Sequence, residues 1–392
     1  MKFKPTLLVL LMSCFALLVQ AQQNKPVATI PFEVVHGSIV LKIKINNHAK
    51  VFNLLFDTGA DGMALDKTLA DSIGLKITRS NNASVVGGSM KIDISGDNDV
   101  TLENGFVLKH QSIAVFPQTG KDLDGIIGNT MTRNYITKID FNKQELSLYN
   151  FEGYEYEKGG TIVPITIPAG LFIIPGNIEI VSGKSSSGNF VFDTGASYNL
   201  ICFRPFVKQN RLLVSGFTSE YHASTVSMGI SSPTFNGKAN SFSFTNMPVI
   251  KDMPITLMAG GGQNESWNPG FDGSIGMGII SRYNFTINRK KNEIYFMPNY
   301  TYAYPQNFTL GSYLLGFNLK GQLEVVSTIR PLPPNETQLE KGTLINQING
   351  GNTADLLKDA KKLALLKKLP ANSPVTFIYT IGKVKKTLTL TK

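Results

Sequence analysis

Cysteine and histidine are scarce in this chain, with two and four among 392 residues. Cys14 lies inside an N-terminal apolar stretch, so a chain cleaved beyond it keeps only Cys202 and can form no internal disulfide. With one thiol left and the histidines scattered, no spacing suits a zinc site, and no cofactor is implied. Beyond the N-terminus no apolar run approaches the roughly twenty residues that cross a bilayer as a helix. Arginines do not cluster among aromatics, so the formal charge of +10 reads as a solvated basic surface, not a nucleic-acid footprint. Charged residues are 17% and hydrophobic residues 42%, a globular composition; 36 glycines between short apolar runs lean it towards strands and turns.

The chain opens on the basic Met1-Lys2-Phe3-Lys4, continues through the apolar run from Leu7 to Val19, and offers small residues for cleavage after Ala21. Residues 1–21 are therefore expected to be a signal peptide, and the protein to be exported, periplasmic or secreted. Leu11-Met12-Ser13-Cys14 loosely resembles a lipoprotein box, which would tie the protein to a membrane only through a lipid on Cys14.

The remaining length holds one unit twice. Asp57-Thr58-Gly59-Ala60, at the end of an apolar run, returns as Asp193-Thr194-Gly195-Ala196. Asp124-Gly-Ile-Ile-Gly128 returns as Asp272-Gly-Ser-Ile-Gly276, and from there the offset of 148 (Asp124 to Asp272) holds through Tyr135 and Tyr283 to Leu146 and Ile294. The second copy is longer between its motifs, and the stretch Ala259 to Gly270 is expected to be a surface loop; Trp267 within it either anchors the loop or touches substrate. The repeat predicts two mainly β lobes, residues 28–150 and 161–298.

An apolar run ending in Asp-Thr-Gly is a buried strand that delivers a carboxylate at a sharp turn, where Gly59 and Gly195 admit a close approach. Two such carboxylates brought together by a pseudo-twofold axis share a proton, and one can take a proton from water while the other protonates a carbonyl. Thr58 and Thr194 would lie beside the axis, within reach of the opposite strand. Asp124 and Asp272 read as turn residues that bond local backbone.

These motifs resemble the retropepsin-like aspartic peptidases. The resemblance implies two β-barrel lobes in one chain, a monomer with an internal pseudo-dimer, and hydrolysis of peptide or protein substrates by Asp57 and Asp193. It implies that Ile126 to Gly128 and Ser274 to Gly276 form the loops beneath the catalytic turns, with Ser274 departing from an apolar residue. It implies substrate contacts at Ala60, Asp61, Ala196 and Ser197, and Gly-tipped flaps at Gly87 and Gly88 and near Met228. Alanine after each Asp-Thr-Gly, where pepsin-like enzymes carry a hydroxyl residue, predicts an acidic optimum milder than theirs. A catalytically silent, exported peptide-binding protein is the alternative.

Asn299 to Phe308 reads as a linker. Beyond it, residues 309–392 resemble a small α+β PDZ-like domain: Tyr313-Leu-Leu-Gly-Phe317 resembles a carboxylate-binding loop, and Thr353 to Leu369 is expected as one amphipathic helix before a closing hairpin, Val375 to Leu390. The resemblance implies that a peptide C-terminus adds a strand there, its carboxylate on the amides of Leu315, Gly316 and Phe317, to recruit or regulate substrate.

Overall fold

The computed structural model describes residues 25–117, 123–259, 266–330, 338–382 and 384–392; the proposed leader, with Cys14, and the tip of the Ala259–Gly270 loop lie outside them. The protein is mainly β. Its strands carry the alternation that one-sided burial demands, as in Phe52–Phe56, where Phe52, Leu54 and Phe56 are buried and Asn53 is exposed.

Two sheets repeat one topology. The first runs in the order 33–35, 38–45, 52–56, 125–127, 63–66, 107–116, 88–102 and 77–85, and closes on itself where Ile43 to Ile45 pair with Val100 to Leu102. The second runs 173–179, 185–192, 273–275, 200–202, 250–258, 230–244 and 219–227, and closes where Gly176 to Glu179 pair with Ser241 to Phe244. In both, the strand leading to Asp-Thr-Gly pairs in parallel with the second motif: Phe56 with Ile127, and Phe192 with Ile275. Phe56 and Phe192 are fully buried, each contributing about 2 kcal/mol or more from apolar area removed from water.

A third sheet joins the two lobes, in the order 28–31, 145–149, 136–140, 283–288, 293–298 and 161–164. At its centre Lys138 lies opposite Thr286, its own equivalent in the repeat, between the pairs Thr137–Ile287 and Ile139–Phe285. A residue facing its own copy across an antiparallel ladder places the pseudo-twofold axis between them. One continuous core, from Ile30 to Phe296, spans both lobes and this sheet.

The C-terminal segment forms its own sheet, in the order 308–310, 313–317, 323–328, 344–348, 374–381 and 384–391, over a separate core that includes Tyr313, Val325 and Phe377. Two of the expectations for it change. The single helix is two, Thr353–Lys358 and Ala360–Lys367, because Asp359 turns extended and its carboxylate accepts hydrogen bonds from the amides of Lys361 and Lys362. Leu315, Gly316 and Phe317 are not a loop: they belong to the strand Tyr313–Phe317, which pairs with Leu323–Thr328 on one edge. On its other edge Phe308–Leu310 folds back to pair with Tyr313 to Leu315, and the Asn307 side chain stands against Gly316. That pairing covers Tyr313 to Leu315 and leaves Gly316 and Phe317 beyond it, lining the open cavity.

The segment expected to be a linker is pinned. The buried guanidinium of Arg282 donates to the carbonyls of Gly278 (3.0 Å), Tyr302 (3.1 Å), Tyr304 (2.6 Å) and Pro305 (3.1 Å). Asn199 Nδ2 donates to Gln306 Oε1 at 2.7 Å, and Thr309 Oγ1 to Glu220 Oε2 at 3.2 Å, so the strap is held along lobe 2. Replacing Arg282→Met strands these carbonyls and should cost about 3 kcal/mol in denaturant unfolding, with faster hydrogen exchange across 301–309.

Candidate active site

Asp57 and Asp193 meet at the floor of a cleft between the lobes. Each is fixed by the loop beneath it: Asp57 N–H donates to Ile127 O (3.0 Å) and Asp193 N–H to Ile275 O (2.9 Å). Each carboxylate accepts from the amide two residues on, Gly59 N–H to Asp57 Oδ1 at 2.8 Å and Gly195 N–H to Asp193 Oδ1 at 3.0 Å. The glycines are required by proximity. A methyl group on Gly59 would stand 2.7 Å from Asp193 Oδ1, and one on Gly195 would collide with Asp57 in the same way.

The turns are locked to one another across the axis. Thr58 Oγ1 donates to Phe192 O (2.6 Å) and accepts from Thr194 N–H (3.0 Å); Thr194 Oγ1 donates to Phe56 O (2.7 Å) and accepts from Thr58 N–H (3.0 Å). Both threonines are fully buried, so each hydroxyl meets a donor and an acceptor with no water to compete. Below them Asp124 and Asp272 close strand ends: their Oδ2 atoms accept from Asn53 N–H and Asn189 N–H, each at 2.7 Å. They do not enter the cleft.

Burial raises the pKa of both central carboxyls. Asp57 rises against the opposing hydrogen bonds from the Gly59 amide, from Asp193 and from the Gly195 amide. Asp193 rises well above the ordinary range through burial and the charge of Asp57, offset by a hydrogen bond from Ser274. Two carboxyls in hydrogen-bond contact titrate as a pair and hold one proton between them over a wide range.

The Gly-tipped segments are hairpin tips: Ile77–Val85 with Gly88–Leu102, and Ser219–Ser227 with Ile230–Phe244. Gly87 and Gly229 take φ of 89° and 84°, which their turns need and a side chain resists. The tips cross the cleft. Val86 packs on lobe 2 against Phe203, Met258 and Trp267, and Met228 packs on lobe 1 against Ile92, Phe116 and Ile126. Gly87 lies against Ser232 and Ile230, so the first flap rests on the second.

Of the remaining sequence-derived positions, Ala60, Asp61, Ala196 and Ser197 line the cleft, Asp61 held by Arg133 Nη2 at 2.6 Å and Ser197 exposed. Gly316 and Phe317 line the same cavity, of about 1510 Å³, from the C-terminal side, together with Glu324 and Lys341. Sequence reasoning missed Tyr198, whose hydroxyl lies 2.8 Å from Ser274 Oγ, and noted Ser274 only as a departure from the apolar pattern. Among the described residues no three His, Cys, Asp or Glu side chains are grouped to hold a metal ion.

Residues 41–131 match the aspartyl protease family. That stretch holds the first Asp-Thr-Gly, the first flap and the first Asp-Gly-Ile-Ile-Gly. No curated protein sequence matches the chain. Among solved structures, the aspartic proteinase from Irpex lacteus is similar at 17% identity and a TM-score of 0.44, over 70% of this chain and 97% of that one.

Replacing Thr58→Val or Thr194→Val leaves a buried amide and a carbonyl without partners and should cost about 2–4 kcal/mol. A double-mutant cycle by urea unfolding should give strongly non-additive costs, since either change breaks the same reciprocal set.

Proposed function

We propose that this chain is an aspartic endopeptidase, acting after export as a monomer that contains both of its catalytic carboxylates. The observation that carries the reading is the approach of Asp57 and Asp193 across the axis, each on a glycine amide, beneath two crossed flaps. A bound water between the carboxylates loses a proton to the ionised member as it attacks the scissile carbonyl, while the neutral member protonates the carbonyl oxygen. The tetrahedral species then collapses with proton transfer to the leaving amine, and no covalent enzyme intermediate forms. The rigid threonine grip keeps the carboxyls in place through both transfers, so little reorganisation accompanies the chemistry.

The C-terminal unit serves as a fixed wall. With Phe308–Leu310 paired along Tyr313 to Leu315 and its strap clamped by Arg282, it is held in place along lobe 2. It regulates access by shaping one side of the cleft, where Glu324 and Lys341 meet the catalytic cavity.

The purified mature chain should cleave unfolded polypeptide with a bell-shaped pH dependence. Because both carboxyls are raised, the active window lies above the ordinary carboxylate range. Asp57→Asn and Asp193→Asn should each lower kcat by at least 10³-fold, since neither carboxyl works alone. Full activity in either variant would exclude a shared pair. A folded wild type that binds a statine-containing peptide without cleaving any substrate would indicate a silent binding protein.

The same carboxyls set a stability trend. A carboxyl raised by folding contributes stability that is complete below its unfolded value and is lost as pH rises through the folded one. Asp193→Asn removes that loss. The variant should therefore be more stable than wild type near neutrality, with the difference shrinking as pH falls, in thermal melts across pH.

A further inference from the structure

The duplication allows the two pockets beside the dyad to be compared position by position, because strand register fixes the equivalences. In lobe 1, Ala64 lies opposite Ile126 on one side and Ala114 on the other, and Ala114 lies opposite Ile94. In lobe 2, Ile201 lies opposite Ser274 and Thr256, and Thr256 lies opposite Asn236. Ile126, Ala114 and Ile94 therefore correspond to Ser274, Thr256 and Asn236. Two residues earlier on the flap strands, Ile92 corresponds to Thr234.

Every one of these apolar positions in lobe 1 is a hydrogen-bonding residue in lobe 2. The apolar set is closed over by Met228 from the opposite flap. In the polar set Thr234, Asn236 and Ser274 are buried and Thr256 is half-buried, yet the set lines the open cavity. Its members bond one another: Asn236 Nδ2 donates to Thr234 Oγ1 (3.1 Å), Thr256 Oγ1 donates to Asn236 Oδ1 (2.8 Å), and Ser274 Oγ meets the Tyr198 hydroxyl (2.8 Å).

Burying polar side chains costs stability unless they are paired, and the network offsets that cost within the lobe. It leaves capacity unspent. The Asn236 amide has a second N–H and its carbonyl a second lone pair. Trp267 Nε1, on the same wall, is buried with no partner among the described residues. An aliphatic side chain in this pocket would seal those groups from water without satisfying them. One that both donates and accepts would complete the network. None of the wall residues named in either set carries a charge to pair with a charged side chain.

We propose that the cleft selects a scissile bond with an aliphatic or aromatic side chain in the lobe 1 pocket and an uncharged hydrogen-bonding side chain, Gln or Asn first, in the lobe 2 pocket. This rests on the peptidase reading for the word scissile, but the pocket preference itself is a binding property. The substrate class is polypeptide with an apolar–carboxamide junction, and the determinants are Ile92, Ala114 and Ile126 on one side and Asn236, Thr256 and Ser274 on the other.

The test uses the full mature chain and peptides with constant flanks whose central pair is Leu–Leu, Leu–Gln, Gln–Leu or Gln–Gln, each also made as a non-hydrolysable reduced-amide analogue. Cleavage gives kcat/KM and calorimetry gives the affinity of the analogues. One of the two mixed orders should exceed both uniform pairs by at least tenfold in each measurement, and which order wins fixes the direction of the chain in the cleft. Exchanging the polar wall for its lobe 1 counterparts, Asn236→Ile with Thr256→Ala, should reverse the ratio in favour of Leu–Leu by at least tenfold. Thr256→Val, nearly isosteric, should move it the same way if the double variant does not fold. Equal kcat/KM for Leu–Leu and both mixed pairs would overturn the proposal and leave the peptidase reading standing. A mixed preference in binding without turnover of any peptide would uphold the pockets and overturn the peptidase reading. Turnover and binding both absent would overturn both.

Discussion

Four hydrogen bonds made by Thr58 and Thr194 across the axis hold the centre of this protein, and they leave the two halves almost no freedom there. Each hydroxyl reaches the carbonyl before the opposite aspartate and receives the opposite threonine's amide, so neither turn can shift alone. The interlobe sheet imposes the same relation from below, with Lys138 facing Thr286 across the axis. Between these fixed points the two carboxyls have no choice but to touch. Burial and the charge of Asp57 push Asp193 towards its neutral form, which relieves their mutual repulsion.

Symmetry weakens with distance from the axis. Asp124 and Asp272 close their strand ends by the same bond at the same length. Away from the axis, Asp61 with its Arg133 partner corresponds to an exposed Ser197, and Ile126 corresponds to Ser274. At the outer rim the halves share nothing: Arg282 of lobe 2 clamps the strap of the C-terminal unit, and the corresponding region of lobe 1 holds Asn134. The gradient follows from physics. Near the axis a change in one copy breaks a bond made by the other, whereas at the rim each copy answers only to its own neighbours.

The mainly β class was legible in the sequence because it depends on short motifs and alternation, which are local, and the repeated motifs lie at matching places in two sheets of one strand order. The positions of the flap tips were legible for the same reason, since Gly87 and Gly229 mark turns. What was not legible depends on which strand lies beside which. Tyr313-Leu-Leu-Gly-Phe317 has the composition of a ligand loop, and only its pairing with Phe308–Leu310 and Leu323–Thr328 reveals it as a strand. The break in the helical stretch was signalled by Asp359, a strong cap followed by Ala-Lys-Lys, but the leucine periodicity on either side outweighed it. The polar wall escaped notice because Asn236 and Thr256 are twenty residues apart, and nothing but register joins them.

The interlobe sheet also sets an order of events in the life of the chain. Residues 28–31 are completed as a strand by 145–149, but the pairing that brings the halves together requires 283–288. Until those late residues leave the ribosome, Asp57 stands on half a site, without the Gly195 turn beside it or the Thr194 hydroxyl to hold it. A nascent chain that ends before the second copy therefore cannot bring the two Asp-Thr-Gly turns together within itself. The delay is written into the sequence separation of Asp57 and Asp193.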